Sequence, residues 1–177
     1  MMMLVQVGTI QVEPDDDSVI RAAASGDRAA FGELYTRYAR MVHGILLARV
    51  SPSAAEDLVQ DVFLSALRRL PVLRTAAAFP GWIAAIARNR AMDHFRESRH
   101  LTPLDSLPPR RQPSAPAGRA FEILELIRSL PEAYRETLIL RLVEGMTGPE
   151  IAARTGLTPE SVRVNLCRGM KMLRRLL

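Results

Sequence analysis

Apolar residues recur three and four positions apart along most of this chain, which is the period of helices that bury one face. The first clear stretch predicts one long amphipathic helix on seven apolar positions: Phe31, Leu34, Tyr35, Tyr38, Val42, Ile45 and Leu46. A second helix is predicted to begin at a capping box of Ser53 and Glu56 and to end at Pro71. A third is predicted from near Pro80 to beyond Phe95.

Five prolines and one glycine interrupt this pattern within LTPLDSLPPRRQPSAPAGRA. Proline removes a backbone donor and restricts its predecessor, so this stretch is predicted to be a semi-extended linker without helix or sheet. We therefore predict an all-α protein of two small helical domains joined by a Pro-rich linker. Its parts are a flexible acidic extension over residues 1–17, a domain over 18–100, the linker over 101–120 and a second domain over 121–177.

The second domain ends in the pattern of a helix-turn-helix. Thr147 and Glu150 form a capping box that opens a short helix, and Gly156 ends it. Thr158 is placed as the N-cap of the next helix, with Pro159 at its first position. A short helix, a turn with glycine and a longer helix together predict a helix-turn-helix.

The last helix has one apolar side and one basic side. A helical wheel places six residues on the predicted core side: Val162, Leu166, Gly169, Met170, Leu173 and Leu177. Five others fall opposite: Val164, Arg168, Lys171, Arg174 and Arg175. From Arg154 onward the chain has six bases and one acid, whereas residues 121–153 have three bases and six acids. This polarity is typical of a recognition helix that meets DNA phosphates and base edges.

The overall composition of the chain is less informative than this distribution of charge. The chain has 177 residues and a net charge of +5, and nearly all of its bases are arginine because Lys171 is the only lysine. The apolar start lacks a basic region, so it is a poor signal peptide, and no stretch is long enough to insert into a membrane. A single cysteine excludes an intramolecular disulfide and favours a cytoplasmic location.

The residue pattern contains no enzyme constellation. The three histidines, His43, His94 and His100, have no cysteine or carboxylate partners at metal-ligand spacing, so we expect no catalytic residue, metal or cofactor. Cys167 lies among basic residues that could activate it as a redox switch, but we expect an inert, half-buried thiol.

At this point the chain resembles the extracytoplasmic-function (ECF) type of bacterial RNA polymerase sigma factor, over roughly residues 18–177. The resemblance is carried by AEDLVQDVFLSALRRL followed by FPGWIAAIARNRAMDHFR, and then by LPEAYRETLILRLVEGMTGPEIAARTGLTPESVRVNLCRGMKMLRRLL. It implies that region 2 binds core RNA polymerase and the −10 element, that region 4 binds the −35 element, and that the protein promotes DNA melting. It also implies an anti-sigma factor as a partner.

The resemblance also implies roles for individual residues. The core polymerase contact falls on Asp57, Gln60, Asp61 and Leu64. Contacts to the −10 DNA fall on Arg74, Arg88, Asn89, Met92, Arg96 and Arg99. Contacts to the −35 DNA fall on Ser161, Arg163, Val164, Asn165, Arg168 and Lys171. We expect Trp82 in the core and Arg175 against phosphate or solvent.

Some positions depart from the family pattern. Val164 and Asn165 stand where Ser or Lys followed by Arg is more usual, and Gly148 replaces an aromatic residue or Ser. Two other classes stay open on the residues alone. One is a helix-turn-helix regulator that binds duplex DNA as a dimer without docking on polymerase, and the other is an interaction module that titrates regulators. The AEDLVQDVFL helix favours the sigma factor, because a simple repressor does not need it.

Overall fold

The computed structural model describes residues 16–101 and 115–177, and the side chains of 16–97 and 119–177. These ranges contain eight α-helices: α1 (Asp16–Ala24), α2 (Arg28–Leu47), α3 (Pro52–Arg69), α4 (Phe79–Leu101), α5 (Ala115–Arg128), α6 (Glu132–Leu142), α7 (Gly148–Thr155) and α8 (Pro159–Leu176). Two 3-10 turns, Leu70–Val72 and Ala76–Ala78, join α3 to α4. The described residues contain no strand, and the predicted all-α fold is confirmed.

Helices α1 and α5 begin outside the predicted domain boundaries. Helix α1 begins at Asp16, inside the predicted extension, where its carboxylate lies in the positive first turn of the helix. Helix α5 begins at Ala115, inside the predicted linker, because Pro116 falls in a first turn, where no backbone donor is needed. Residues 1–15 of the predicted extension and residues 102–114 of the predicted linker lie outside the described residues.

The start of α3 also differs from its prediction. Ser51, not Ser53, is the N-cap, and its hydroxyl accepts a hydrogen bond from the Ala54 amide at 3.3 Å. Pro52 causes the shift, because its fixed φ suits the first helical position and its missing amide costs nothing there. The predicted capping box of Ser53 and Glu56 is therefore wrong.

Tyr38 of α2 lies at the centre of the first domain, fully buried, with its ring 5.0 Å from that of Phe79. Its hydroxyl donates to the Asp16 carboxylate at 3.1 Å, which fixes α1 on α2. Burial, together with the charge of Asp16, raises the pKa of Tyr38 to about 12, so the hydroxyl keeps the proton that it donates. This network makes Asp16 part of the folded domain.

The second domain contains the predicted helix-turn-helix. Thr147 accepts from the Glu150 amide, and the Glu150 side chain accepts from the Thr147 amide at 2.7 Å, so the capping box that opens α7 is confirmed. Gly156 ends α7 with φ +75°, which a residue with a side chain adopts only with strain. Thr158 then caps α8 through the Ser161 amide at 3.1 Å.

The two domains pack against each other. Helix α6 lies on α2, and α7 lies on both α4 and α2, so one continuous set of buried apolar side chains joins both domains. No helix among the described residues is long and apolar enough to cross a membrane. The contact between domains decides which of the predicted binding residues are accessible.

Candidate functional site

The four residues predicted to dock on polymerase share the outer side of α3. Asp57 and Gln60 are exposed, and the Leu64 side chain is 52% exposed although it is large and apolar. Asp61 lies beside them and accepts from Arg90 of α4 at 2.9 and 3.2 Å. The structure therefore brings these four together as one acidic and amide surface around an exposed leucine, with Asp61 held in place.

The residues predicted to bind −10 DNA separate into groups. Asn89, Met92 and Arg96 are exposed on α4, and the Met92 side chain is 52% exposed. Arg88 instead points toward the second domain, where its guanidinium contacts a carboxylate. Arg99 belongs to α4, but its side chain lies outside the described residues. Five of the six predicted −10 residues therefore lie on this helix, and one of them, Arg88, is paired with the second domain.

Arg74 lies apart from α4, in the connection between the two 3-10 turns. It is exposed and lines a cleft of about 320 Å³ together with Thr75 and with Asp17 and Arg21 of α1. The predicted core residue Trp82 is half-buried, packs on the core and lies 5.8 Å from the Phe79 ring, centroid to centroid. The cleft beside Arg74 is large enough for one planar base, whereas Trp82 has a packing role.

Helix α8 presents most of the predicted −35 residues. Four of them are exposed: Ser161, Arg163, Arg168 and Lys171. Val164 and Asn165 are half-buried, and Asn165 lines a cleft between the two domains. On the predicted core side, Val162 and Leu173 are buried. Leu177 is 75% exposed, so its assignment to the core is wrong, because α8 ends before it can reach the packed face.

A buried carboxylate at the domain contact was not anticipated from the sequence. The Glu136 side chain on α6 is only 6% exposed, and it accepts from Arg88 Nη2 at 2.6 Å and from Arg49 Nη2 at 2.7 Å. Burial acts to raise the pKa of Glu136, but the hydrogen bonds and charges of Arg88 and Arg49 outweigh it and hold the pKa below its usual value. The carboxylate is therefore ionised and paired across the domains.

Further polar contacts cross the same boundary. Glu144 accepts from Nδ1 of His43 at 2.6 Å, and its backbone oxygen accepts from Arg40. The hydrogen bond to Glu144 raises the pKa of His43, against partial burial, which lowers it. Arg128 Nε donates to the Leu47 carbonyl at 2.9 Å, at the end of α2. Carbonyls left free at that helix end are therefore satisfied by the other domain.

The first domain also contacts an arginine of the helix-turn-helix. The Arg154 guanidinium of α7 lies 4.6 Å from the Tyr38 ring centroid and 3.6 Å from the Asp16 carboxylate. Cation–π and ionic contacts of this kind are each modest, but they are partly shielded from solvent here. Arg154 is thus a contact between domains, and this part of the motif faces protein.

The described residues contain no group of His, Cys, Asp or Glu arranged to hold a metal ion. Cys167 is exposed, so the expected half-burial of its thiol is wrong; it lies on the outer side of α8 beside Arg168.

The fold and its surfaces define a class, a two-domain helical protein with a DNA-binding helix-turn-helix in its second domain. Family models match in both domains: "Sigma-70 region 2" over residues 34–100 and "Sigma-70, region 4" over residues 120–173. The RNA polymerase sigma factor CarQ of Myxococcus xanthus is 34% identical over 162 residues, which cover 86% of this chain and 91% of that protein. The chain belongs to the ECF family of RNA polymerase sigma factors.

Other relatives agree with this assignment. The ECF RNA polymerase sigma factor BldN of Streptomyces coelicolor is 31% identical, and the match covers 90% of this chain but 64% of BldN, so this chain spans less than two thirds of that relative. A solved structure of CnrH in complex with the cytosolic domain of CnrY matches with a TM-score of 0.62 at 25% identity. That match covers 91% of this chain and 96% of CnrH.

Proposed function

We propose that this alternative sigma factor binds core RNA polymerase through α3, directs it to promoters through their −10 and −35 elements, and promotes melting of the DNA. One observation carries the proposal. A single chain presents both the acidic surface of α3, centred on the exposed Leu64, and a helix-turn-helix whose last helix is basic on its outer side. A regulator that only binds duplex DNA has no use for the first surface.

The proposed polymerase contact is the surface of Asp57, Gln60, Asp61 and Leu64. An exposed leucine ringed by acids and an amide suits a basic helical partner, because apolar contact supplies affinity and the charges supply orientation. The hydrogen bonds from Arg90 keep Asp61 in a fixed rotamer, which reduces the entropy lost on docking.

The proposed −10 contacts lie on α4 and in the connection before it. Single-stranded DNA is held by cations on its phosphates and by stacking or pockets for its bases. Arg96 and the exposed Met92 supply a cation and an apolar contact on one side of α4. The cleft beside Arg74 is proposed to accept an unstacked base. Arg88, Asn89 and Arg99 complete this set of proposed −10 contacts.

The proposed −35 contacts lie on the outer side of α8. Recognition helices use their first turns for base edges, which favours Ser161, Arg163, Val164 and Asn165 for this role. Arg168 and Lys171 follow on the same exposed side. The Ser161 hydroxyl accepts from Thr158 at 2.8 Å and so is held at the start of the helix, where a base edge would meet it.

We further propose that the chain works in the cytoplasm, acts by binding and not by catalysis, and has an anti-sigma factor as a protein partner. The solved complex of CnrH with the cytosolic domain of CnrY supports a partner of this kind, because that structure covers 91% of this chain.

Run-off transcription tests the proposed function. Core RNA polymerase of the source organism is incubated with fragmented genomic DNA, with and without the chain, and transcript 5′ ends are mapped. We expect defined starts that appear only with the chain, preceded by shared sequences near positions −10 and −35. Duplex binding without any defined start would favour a helix-turn-helix regulator. The absence of both duplex binding and defined starts would favour an interaction module.

A further inference from the structure

The two domains are joined at one buried carboxylate that holds a predicted DNA-binding residue. Glu136 accepts from Nη2 and Nε of Arg88 at 2.6 and 3.1 Å, and from Arg49 at 2.7 Å. A guanidinium that gives two parallel hydrogen bonds to two oxygens uses the geometry with which arginine also binds phosphate. Glu136 thus occupies the position on Arg88 that a DNA phosphate would take.

The same contact covers part of the helix-turn-helix. Arg88 of α4 and Asn165 of α8, one residue from each predicted DNA surface, line a single cleft of about 540 Å³. The turn between α7 and α8 lies against the start of α4, where a Cβ built on Gly156 would be 3.1 Å from the Gly81 Cα. The two predicted DNA surfaces therefore meet at this contact.

This arrangement is incompatible with simultaneous contact to both promoter elements. The names −10 and −35 denote positions about 25 base pairs apart, which is about 85 Å along B-DNA at about 3.4 Å per base pair. Residues that line one cleft cannot span that distance. If the chain reads both elements, its domains must separate.

The polar part of the contact suits reversible separation. Arg49, Arg88, Glu136 and Glu144 are charged groups that regain hydration when the domains part, which offsets part of the lost pairing. Polar interfaces between domains of one chain resemble those of transient complexes. Apolar packing is close at Gly44 of α2, where an added Cβ would lie 2.6 Å from Leu140 Cδ2.

We propose that the closed chain is a self-inhibited state. In this state the Glu136 carboxylate binds the Arg88 guanidinium in place of a DNA phosphate until the domains separate. The proposal rests on the proposed function, because it assumes that Arg88 serves the −10 DNA. In the free chain, Glu136 and DNA compete for the same guanidinium. Domain separation on polymerase then frees Arg88 and Asn165 together.

The test uses the full chain without polymerase and three variants. Glu136→Gln removes the competing charge. Gly44→Met forces the domains apart by size, without changing charge, because its Cβ already conflicts with Leu140. Glu33→Gln is the matched control, since it makes the same charge change in an exposed pair with Arg37 inside α2. Radius of gyration is measured by X-ray scattering, and binding of a random-sequence single-stranded 20-mer is measured by fluorescence anisotropy.

We expect both Glu136→Gln and Gly44→Met to enlarge the radius of gyration and to bind the oligonucleotide about fivefold more tightly or better, the lower end of usual coupling between sites. Glu33→Gln should match the wild type. The added substitution Arg88→Gln should cancel the gain. Circular dichroism establishes that each variant is folded, and if Glu136→Gln unfolds, Gly44→Met decides the result.

Two outcomes would overturn the proposal. One is that both variants remain as compact as the wild type and bind no more tightly. The other is that the chain opens while oligonucleotide affinity stays unchanged, which would show that Glu136 does not compete with DNA. Run-off transcription by the wild type keeps the two ideas apart. Defined starts together with either outcome would leave the proposed function standing and remove only self-inhibition.

Discussion

Single arginines in this protein differ in what they already contact. Arg88 and Arg90 each hold a carboxylate of another helix, whereas Arg168 is exposed on the outer side of α8. An arginine that is paired with a carboxylate must lose that contact before it can bind phosphate. Its net contribution to the free energy of DNA binding is therefore reduced. Arg168 has no such cost, which makes it the sharper test of the recognition helix.

Arg168→Ala should weaken binding to the −35 element by about 1–3 kcal/mol, the scale of a specific base contact. The measurement is an electrophoretic shift of duplexes that carry the promoter identified by run-off transcription, compared with scrambled duplexes. Arg175→Ala, in the last turn of the same exposed side, is the matched control and should have a smaller effect on specificity. An equal loss on scrambled DNA would make Arg168 a phosphate contact.

His43 should make the stability of the closed chain depend on pH. Because its pair with Glu144 raises its folded pKa, the added stability is fully present below the ordinary pKa of about 6.5 and is lost as pH rises through the folded value. Glu56 adds to the shift, and Arg40 contacts the Glu144 backbone. Thermal unfolding of the wild type and His43→Gln should therefore differ most below the ordinary pKa of about 6.5, and the difference should shrink as the pH is raised above it. A difference that stays constant as the pH is raised would contradict the assignment.

At the scale of helices, local sequence signals predicted most element types and several exact ends. Thr147, Glu150 and Gly156 define α7 because caps and a left-handed glycine act within four residues. Ser51 was missed as the cap of α3 because two serines flank Pro52 and only the first-turn preference of proline separates them. Local rules thus resolve a helix end when one signal dominates.

Contacts between helices were much less predictable. Glu136 precedes the apolar run TLIL, and its partners Arg49 and Arg88 lie 87 and 48 residues away in sequence. Periodicity assigns a charged residue to the solvent face, so an acid buried by another domain gives no local signal. Gly44 was the sequence feature that came closest to indicating the domain contact, since a glycine inside a long helix indicates close packing.

The outer surface of α3 can be tested as a unit. Asp57→Arg should reduce affinity for core polymerase by about tenfold or more, because like charges across an interface cost several kcal/mol. Asp57 is preferred to Asp61, since a change at Asp61 would also break the pair with Arg90. Binding is measured by fluorescence anisotropy of the labelled chain. Glu122→Arg, at an exposed acid of α5 in the second domain, makes the same change of charge away from this surface; it is the matched control and should bind normally. Equal losses in both variants would indicate a general charge effect.

At the scale of the whole molecule, the main variable is the separation of the two domains. In the free chain α6 lies on α2 and α7 lies on α4, whereas simultaneous reading of elements about 85 Å apart demands an open chain. The net charge of +5 does not show this requirement, because acids such as Glu136 and Glu144 pair with bases of the first domain. Under the proposed function, these internal pairs compete with DNA for the same bases.

Energy transfer between two dyes should report this opening directly. In a Cys167→Ser background, cysteines replace the exposed Glu33 in the first domain and Leu177 in the second, and both receive dyes. Transfer should be efficient in the free chain, fall when core polymerase is added, and stay low on promoter DNA, because about 85 Å between elements exceeds the reach of closed domains. A pair of dyes within the first domain, at Glu33 and Arg68, controls for environment. Unchanged transfer in a sample that yields defined transcripts would show that initiation proceeds without separation, and the distance argument for an open state would then fail.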